Sequence, residues 1–275
     1  MTKLHKITHQ DISESIRFLL DKGEVIEPSR PYLGMSQIGH ACTNYLWMNF
    51  RWVKTPGYPQ RTKRIFDRGH MEEPRITESL KRIKMNVVAG QVELSDFEGH
   101  LQGHIDGEIF LIDLAEDAVC EFKTMAEKYF LAAQKQGIKK GYYAYWVQAV
   151  MYMYYRNRNY ALFIASNKND ERYYPEILDA DPVAAGKFIE RAGAIINSPI
   201  PMEKVSERSD YFLCKSFKCP FFGPCHEDEN FDKNCRTCRF SEPSVNMQWT
   251  CNFHNKQLIV KEQRLGCEDY KMLVC

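Results

Sequence analysis

Apolar residues recur along this chain at helical spacing first and at alternating spacing later. Ile12, Ile16, Leu19 and Leu20 share one helical face behind Asp11, a suitable N-cap, and Lys22-Gly23 closes this short leading helix. After the 28–31 turn, Ser36 can cap a second helix carrying Ile38, Cys42, Tyr45, Leu46 and Phe50, and a third spans 65–80. Over 85–123 the pattern changes to runs of Val, Ile and Phe broken by Gly90, Gly99, Gly103 and Gly107, which predicts a meander of strands with turns at the glycines. Helical periodicity returns over 126–133 and 143–155, YALFIASN and RYYPEIL read as two strands, and 181–197 reads as another helix. This order suits a mixed α/β (α+β) fold with a central mixed sheet flanked by helices. The expected organisation is a leading helix and linker over 1–35, a body over 36–205 and a small Cys-rich tail over 206–275.

Composition narrows the chemistry. The 275 residues include 37 Lys plus Arg against 36 Asp plus Glu, so no global charge attracts a polyanion and any nucleic-acid site must come from local clustering. No run reaches the roughly 18 apolar residues of a membrane span, and the polar N-terminus lacks a signal-peptide core, so the expectation is a cytoplasmic protein with no membrane partner. Cys42 and Cys120 stand alone, whereas eight cysteines crowd the last quarter, where reduced thiols at CxxC spacing favour metal over disulfides. Cys120 reads as a buried small hydrophobe and Cys275 as uninvolved.

Within the meander, GHIDGEI places Asp106 beside a glycine, and VCEFK places Glu121 and Lys123 on one face of a strand with Phe122 on the other. Each alone is ordinary, a turn aspartate or a solvated strand face. Together they bring two carboxylates and an amine to one pocket, a donor set suited to a hard divalent cation.

The series Gly69-His70-Met71-Glu72-Glu73, Gly103-His104-Ile105-Asp106-Gly107, Glu121-Phe122-Lys123 and Gln148-Ala149-Val150-Met151-Tyr152 resembles, in order, the four motifs of the RecB-like branch of the PD-(D/E)xK nuclease superfamily. The resemblance covers about residues 36 to 160 and implies a restriction-endonuclease-like core. It implies that Glu73, Asp106 and Glu121, with the Phe122 carbonyl, hold Mg²⁺ or Mn²⁺, and that Lys123 positions or deprotonates the attacking water. Gln148 and Tyr152 would hold the substrate strand or buttress the active-site strands. Motif counting alone separates Glu73 from Glu72, and His70 and His104 are second-tier candidates. The implied activity is a metal-dependent deoxyribonuclease, an exonuclease acting on DNA ends or single strands. A phosphodiesterase acting on RNA and a non-catalytic zinc-dependent nucleic-acid-binding module are the alternatives.

In the tail, Cys235 and Cys238 form a CxxC followed by Cys251, with His254 or Cys267 as fourth ligand to Zn²⁺. The arrangement resembles a Cys-rich tail on phage-encoded RecB-like nucleases, which favours Cys267 and implies action in a host cytoplasm. Cys42, Cys214, Cys219 and Cys225 resemble the one-before, three-after cysteines of the AddB and CRISPR-adaptation nucleases, implying a [4Fe-4S] cluster. Tyr142, Tyr143, Tyr145 and Trp146 with Lys139 and Lys140 read as base-stacking and phosphate contacts or as core. Lys54, Arg61, Lys63, Arg64 and Arg68 read as a strand-guiding patch or a solvated face.

Overall fold

The computed structural model describes residues 8–88, 90–215 and 219–273; Cys275 lies outside them. Helix α1 (His9–Lys22) starts earlier than its apolar residues suggest. Thr8 is the N-cap and Asp11 returns the bond to the Thr8 amide, so Asp11 is the third residue of a capping box. Strand β1 (Glu24–Val25) and strand β2 (Leu33–Gly34) lead to α2 (Thr43–Phe50), which is capped by Cys42 and not by Ser36. Residues 35–40 form turns, and Gly39 lies so close to the backbone of residue Ala144 that a Cβ would stand 2.9 Å from its Cα. Strand β3 (Tyr58–Pro59) pairs with β1, and α3 (Gln60–Arg82) runs longer than the expected 65–80.

The meander comprises β4 (Val87–Val88), β5 (Val92–Asp96), β6 (Leu101–Ile105), β7 (Gly107–Leu111) and β8 (Glu116–Met125). Gly103 marks no turn. It lies inside β6, where a Cβ would come within 2.6 Å of the Tyr152 ring and 2.8 Å of the Met35 sulfur, so glycine serves close packing there. Helices α4 (Glu127–Gln136), α5 (Ile138–Gly141) and α6 (Tyr143–Arg156) then carry the chain across to β9 (Tyr160–Asn167), followed by β10 (Tyr173–Asp179) and α7 (Pro182–Asn197). The tail holds α8 (Phe222–His226), β11 (Ser241–Pro243), β12 (Trp249–Cys251), β13 (Lys256–Leu258) and α9 (Val260–Leu265).

The fold is mixed α+β, as the pattern predicts. Its main sheet has the order β10-β9-β8-β7-β4, with β8 and β9 parallel and the other neighbours antiparallel. The parallel pair requires the helical crossover through α4 to α6. A smaller sheet has the order β2-β6-β5, and the tail forms an antiparallel β11-β12-β13 sheet. One face of the main sheet packs Cys120, Phe122, Leu162 and Ile164 against Ile76 and Leu80 of α3. The other buries Val119, Phe163 and Ala165 with Val147, Met151 and Tyr152 of α6. That second core continues into the tail through Phe221, Phe231, Trp249 and Leu258. The tail therefore shares in the hydrophobic core of the body.

Arg236 fastens the tail to the body. Fully buried, it donates to the carbonyls of Phe50 and Pro31, each at 2.8 Å, and to Gln263 Oε1 at 2.9 Å, while its guanidinium lies 3.8 Å from the Trp52 ring centre. Its own carbonyl accepts from buried Arg51, which also donates to the Ser198 carbonyl. Burial pulls Arg51 down to about 10 and moves Arg236 the same way. Removing this side chain leaves a cavity and strands buried acceptors. Arg236→Ala is expected to cost on the order of 3 kcal/mol, measured as a lower urea midpoint with an unchanged slope; an unaltered midpoint refutes the fastening role.

Candidate active site

The chain leaves the small sheet at Ile105 and enters the main sheet at Gly107, so Asp106 occupies the junction between two sheets. Its backbone amide donates to the Cys120 carbonyl, which continues the β7–β8 ladder by one residue and sets Asp106 beside the middle of β8. Asp106 Oδ2 accepts from the Phe122 amide at 2.6 Å. Glu121 and Lys123 follow on the face of β8 turned toward α6, whereas Phe122 points into the α3 side, in keeping with strand alternation.

Glu121 is fully buried. Lys123 donates to its Oε1 and lies 3.4 Å from the Phe122 carbonyl oxygen, but Glu121 Oε2 has no hydrogen-bond partner among the described residues. Burial pushes the carboxyl up to about 8, against the pull of Lys123, with Asp106 adding to the rise. Burial also raises Asp106, with Lys123 and the Phe122 amide opposing it. For Lys123 burial works downward, and Glu121 and Asp106 together outweigh it, so the ammonium is held charged.

Helix α3 brings Glu73 to the same place. Half-buried, it is raised by burial and then by Asp106, and its Oε1 lies 3.5 Å from His70 Nδ1. Glu72 faces elsewhere, buried against the sheet, where it accepts from Ser166 Oγ at 3.0 Å and from Arg75 at 3.2 Å. The two neighbours differ by one helical step, and only Glu73 interacts with Asp106. Gln91, which carries no motif signal, donates to Glu73 Oε2 at 3.0 Å. His70 is exposed, and His104 lies 4.0 Å from Glu93.

Gln148 and Tyr152 of α6 are both buried. Gln148 Nε2 donates to the Tyr152 hydroxyl at 3.0 Å, the ring packs against Gly103 two residues before Ile105, and Glu121 raises the phenol further after burial. Both side chains are thus turned away from solvent, with the Tyr152 ring packed against β6. Tyr145, one turn earlier, sets its ring centre 5.5 Å from Lys123 Nζ. Trp146 is buried under Lys139, whose ammonium stands 4.2 Å from its ring centre, so this residue is core; Tyr143 remains exposed. The expected basic patch is largely spoken for, since Lys54 pairs with Glu229 and Asp232, Lys63 with Asp67, Arg64 with Asp21 and Arg68 with Glu171.

A hard divalent cation fits this donor set. A buried carboxylate oxygen without a partner, beside a second carboxylate that is itself raised, is a charge waiting for compensation. The fit is loose at rest, for Glu73, Asp106 and Glu121 do not draw three ligand atoms mutually within 4.8 Å; among the described residues only His254, Cys267 and Asp269 do.

The cysteines fall into two groups in space. Cys42, Cys214, Cys219 and Cys225 line one small cavity together with Asn44, Tyr45 and Lys204. The Tyr45 amide donates to Cys42 Sγ at 3.4 Å and Asn44 Nδ2 to Cys225 Sγ at 3.6 Å, while burial and then neighbouring thiols raise Cys219. In the second group burial, followed by Cys267, Cys238 and Cys251, pushes Cys235 up to about 11, and the Gly266 amide donates to its sulfur. Thiols such as Cys219 and Cys235, raised by burial and then by neighbouring sulfurs, are donors that a cation would convert to thiolates.

No family model and no curated protein matches the chain. Solved structures resemble it in part. They include an alkaline exonuclease, LHK-Exo, from Laribacter hongkongensis, with TM-score 0.46 and 14% identity over 61% of this chain and 87% of that one. A phage related exonuclease from Haemophilus somnus 129PT has TM-score 0.36 and 14% identity over 48% and 68%. Likeness of this extent assigns no activity and no residue role.

The raised Glu121 carboxyl makes a pH-dependent claim. Between its ordinary 4.5 and about 8 the unfolded chain releases the proton and the folded chain keeps it, so stability from this group falls as pH rises through that window. Glu121→Gln in EDTA should therefore melt above wild type at pH 8, with the gap closing toward pH 5, and added Mg²⁺ should raise the wild type alone. A calorimetric scan checks this; equal melting at both pH values would place the carboxylate in no such cost.

Proposed function

We propose that the chain is a Mg²⁺- or Mn²⁺-dependent nuclease of the RecB-like PD-(D/E)xK type with a restriction-endonuclease-like core, an exonuclease hydrolysing DNA at ends or in single strands. One observation carries the reading: the unpartnered Glu121 Oε2 buried beside Asp106 and Lys123 where two sheets meet. A phosphodiester is an anion attacked by an anion. Mg²⁺ or Mn²⁺ held by Asp106, Glu121, the Phe122 carbonyl and Glu73 would supply charge neutralisation and a lowered water pKa.

The remaining work falls to protein groups. Lys123, kept charged by two carboxylates, orients the attacking water or steadies the phosphate and is a poor base in this state. Asp106 is fixed from the side by the Phe122 amide, and Tyr152 with Gln148 keeps β6 from shifting beneath it. Displacing a catalytic group by about 1 Å can cost on the order of a hundredfold in rate. Tyr145 and exposed Tyr143 offer aromatic faces to unstacked bases. In the same reading Cys42, Cys214, Cys219 and Cys225 hold an iron–sulfur cluster, and Cys235, Cys238, Cys251 and Cys267 hold Zn²⁺.

End-labelled single- and double-stranded DNA with Mg²⁺, Mn²⁺ or EDTA tests the activity. Asp106→Asn, Glu121→Gln and Lys123→Ala should each lower cleavage by orders of magnitude while DNA binding persists, because these groups act in the transition state. Wild-type cutting in any two of the three ends the assignment. Anaerobically purified protein should be brown and Cys42→Ser colourless with its zinc retained; a colourless wild type with two zinc ions would remove the cluster.

A further inference from the structure

His254 lies in the turn between β12 and β13, and Cys267 and Asp269 follow α9 after Gly266, whose φ of +64° reverses the chain toward that turn. His254 Nε2 stands 3.8 Å from Cys267 Sγ and 3.3 Å from Asp269 Oδ2, and the three donor atoms all lie within 4.8 Å of one another. A proton relay of carboxylate, imidazole and thiol would use the two ring nitrogens separately. Here both partners meet the same nitrogen, which is the geometry of convergence on a common point. Tetrahedral zinc with bonds of about 2.3 Å to sulfur and about 2.0 Å to nitrogen and oxygen sets sulfur and nitrogen roughly 3.5 Å apart and nitrogen and oxygen roughly 3.3 Å apart. Both observed spacings lie within a few tenths of an ångström of these.

We propose that His254, Cys267 and Asp269 form a second, solvent-open position for a borderline-soft divalent cation such as Zn²⁺, sharing the Cys267 sulfur with the Cys235, Cys238 and Cys251 set. It rests on the zinc reading of the tail only through that shared sulfur. A thiolate has lone pairs for two cations, and Cys267 directly follows Gly266, whose amide donates to the Cys235 sulfur, so the chain brings Cys267 beside both groups. The new position has three protein ligands and one face open to water, with the His254 side chain 38% and the Asp269 side chain 51% exposed. Its ion exchanges with solvent, whereas buried Cys238 and Cys251 enclose the other. When filled, it ties the β12–β13 turn to the segment after α9.

The test is a Co²⁺ titration of the full-length zinc-loaded protein, followed by the thiolate-to-cobalt absorption band, which the thiol-free carboxylate site does not give, and by metal content after gel filtration. Wild type should take up one additional, weaker ion. His254→Ala and Asp269→Asn should each weaken that uptake by at least about 10- to 100-fold while the tight zinc stays. Identical uptake by wild type and His254→Ala overturns the proposal. So does loss of the tight zinc in His254→Ala, which would make His254 the fourth ligand of the enclosed site. Protein that holds no tight zinc but still shows His254-dependent cobalt binding supports the new position and removes the zinc reading instead.

Discussion

Arg236 carries a positive charge to the place where the N-terminal segment, α2 and the Cys-rich tail meet, and its hydrogen bonds there go to neutral groups, two backbone carbonyls and the Gln263 amide oxygen. The faces of Phe50, Trp52 and Trp249 close around it. Burying such a charge costs several kcal/mol unless dipoles replace water completely. That condition holds only when all three segments are present together, because each contributes acceptors or walls that the others lack. Arg51, bonded to the Arg236 carbonyl, extends the dependence to the end of α7 at Ser198. The tail is thereby part of the body's core, and α2, capped by Cys42, is held in register with the cysteines of the tail.

The proposed cleavage site shows the opposite arrangement, a cost left standing. Glu121 has a buried oxygen without a partner while its immediate surroundings are well packed. The main sheet, α6 and the Gly103 contact hold the carboxylate in place despite the desolvation. A preorganised site gains by this, since little reorganisation remains to be made when charge develops.

Much of this was readable from residue patterns, and the failures have identifiable causes. Strand alternation placed Glu121 and Lys123 opposite Phe122 because the period of two is a property of the backbone, independent of what packs around it. Cap assignment failed at α1 and α2, where Asp11 and Ser36 have the right chemistry and Thr8 and Cys42 have the right position. Gly103 reads as a turn in the sequence because its real reason, the Tyr152 ring, lies almost fifty residues away. Gln91 and Asp269 left no signal at all, being single polar residues in loops whose partners are set only by the fold. Nothing in the pattern indicated that Arg236, an ordinary residue between two cysteines, would be a buried anchor.

The contacts that join Arg236 to Arg51, Phe50 and Pro31 link residues 185 to 205 positions apart in sequence. A growing chain therefore contains all the proposed catalytic residues by residue 152, long before Arg236 and the segment it fastens leave the ribosome. Until then the Phe50 and Pro31 carbonyls lack the guanidinium that they accept from in the finished fold. Contacts of such long sequence range form only after most of the chain has been made. A fragment that stops short of residue 236 lacks the side chain that fills the space between Phe50, Pro31 and Trp52, and a chain packed that poorly is the kind that cellular quality control removes.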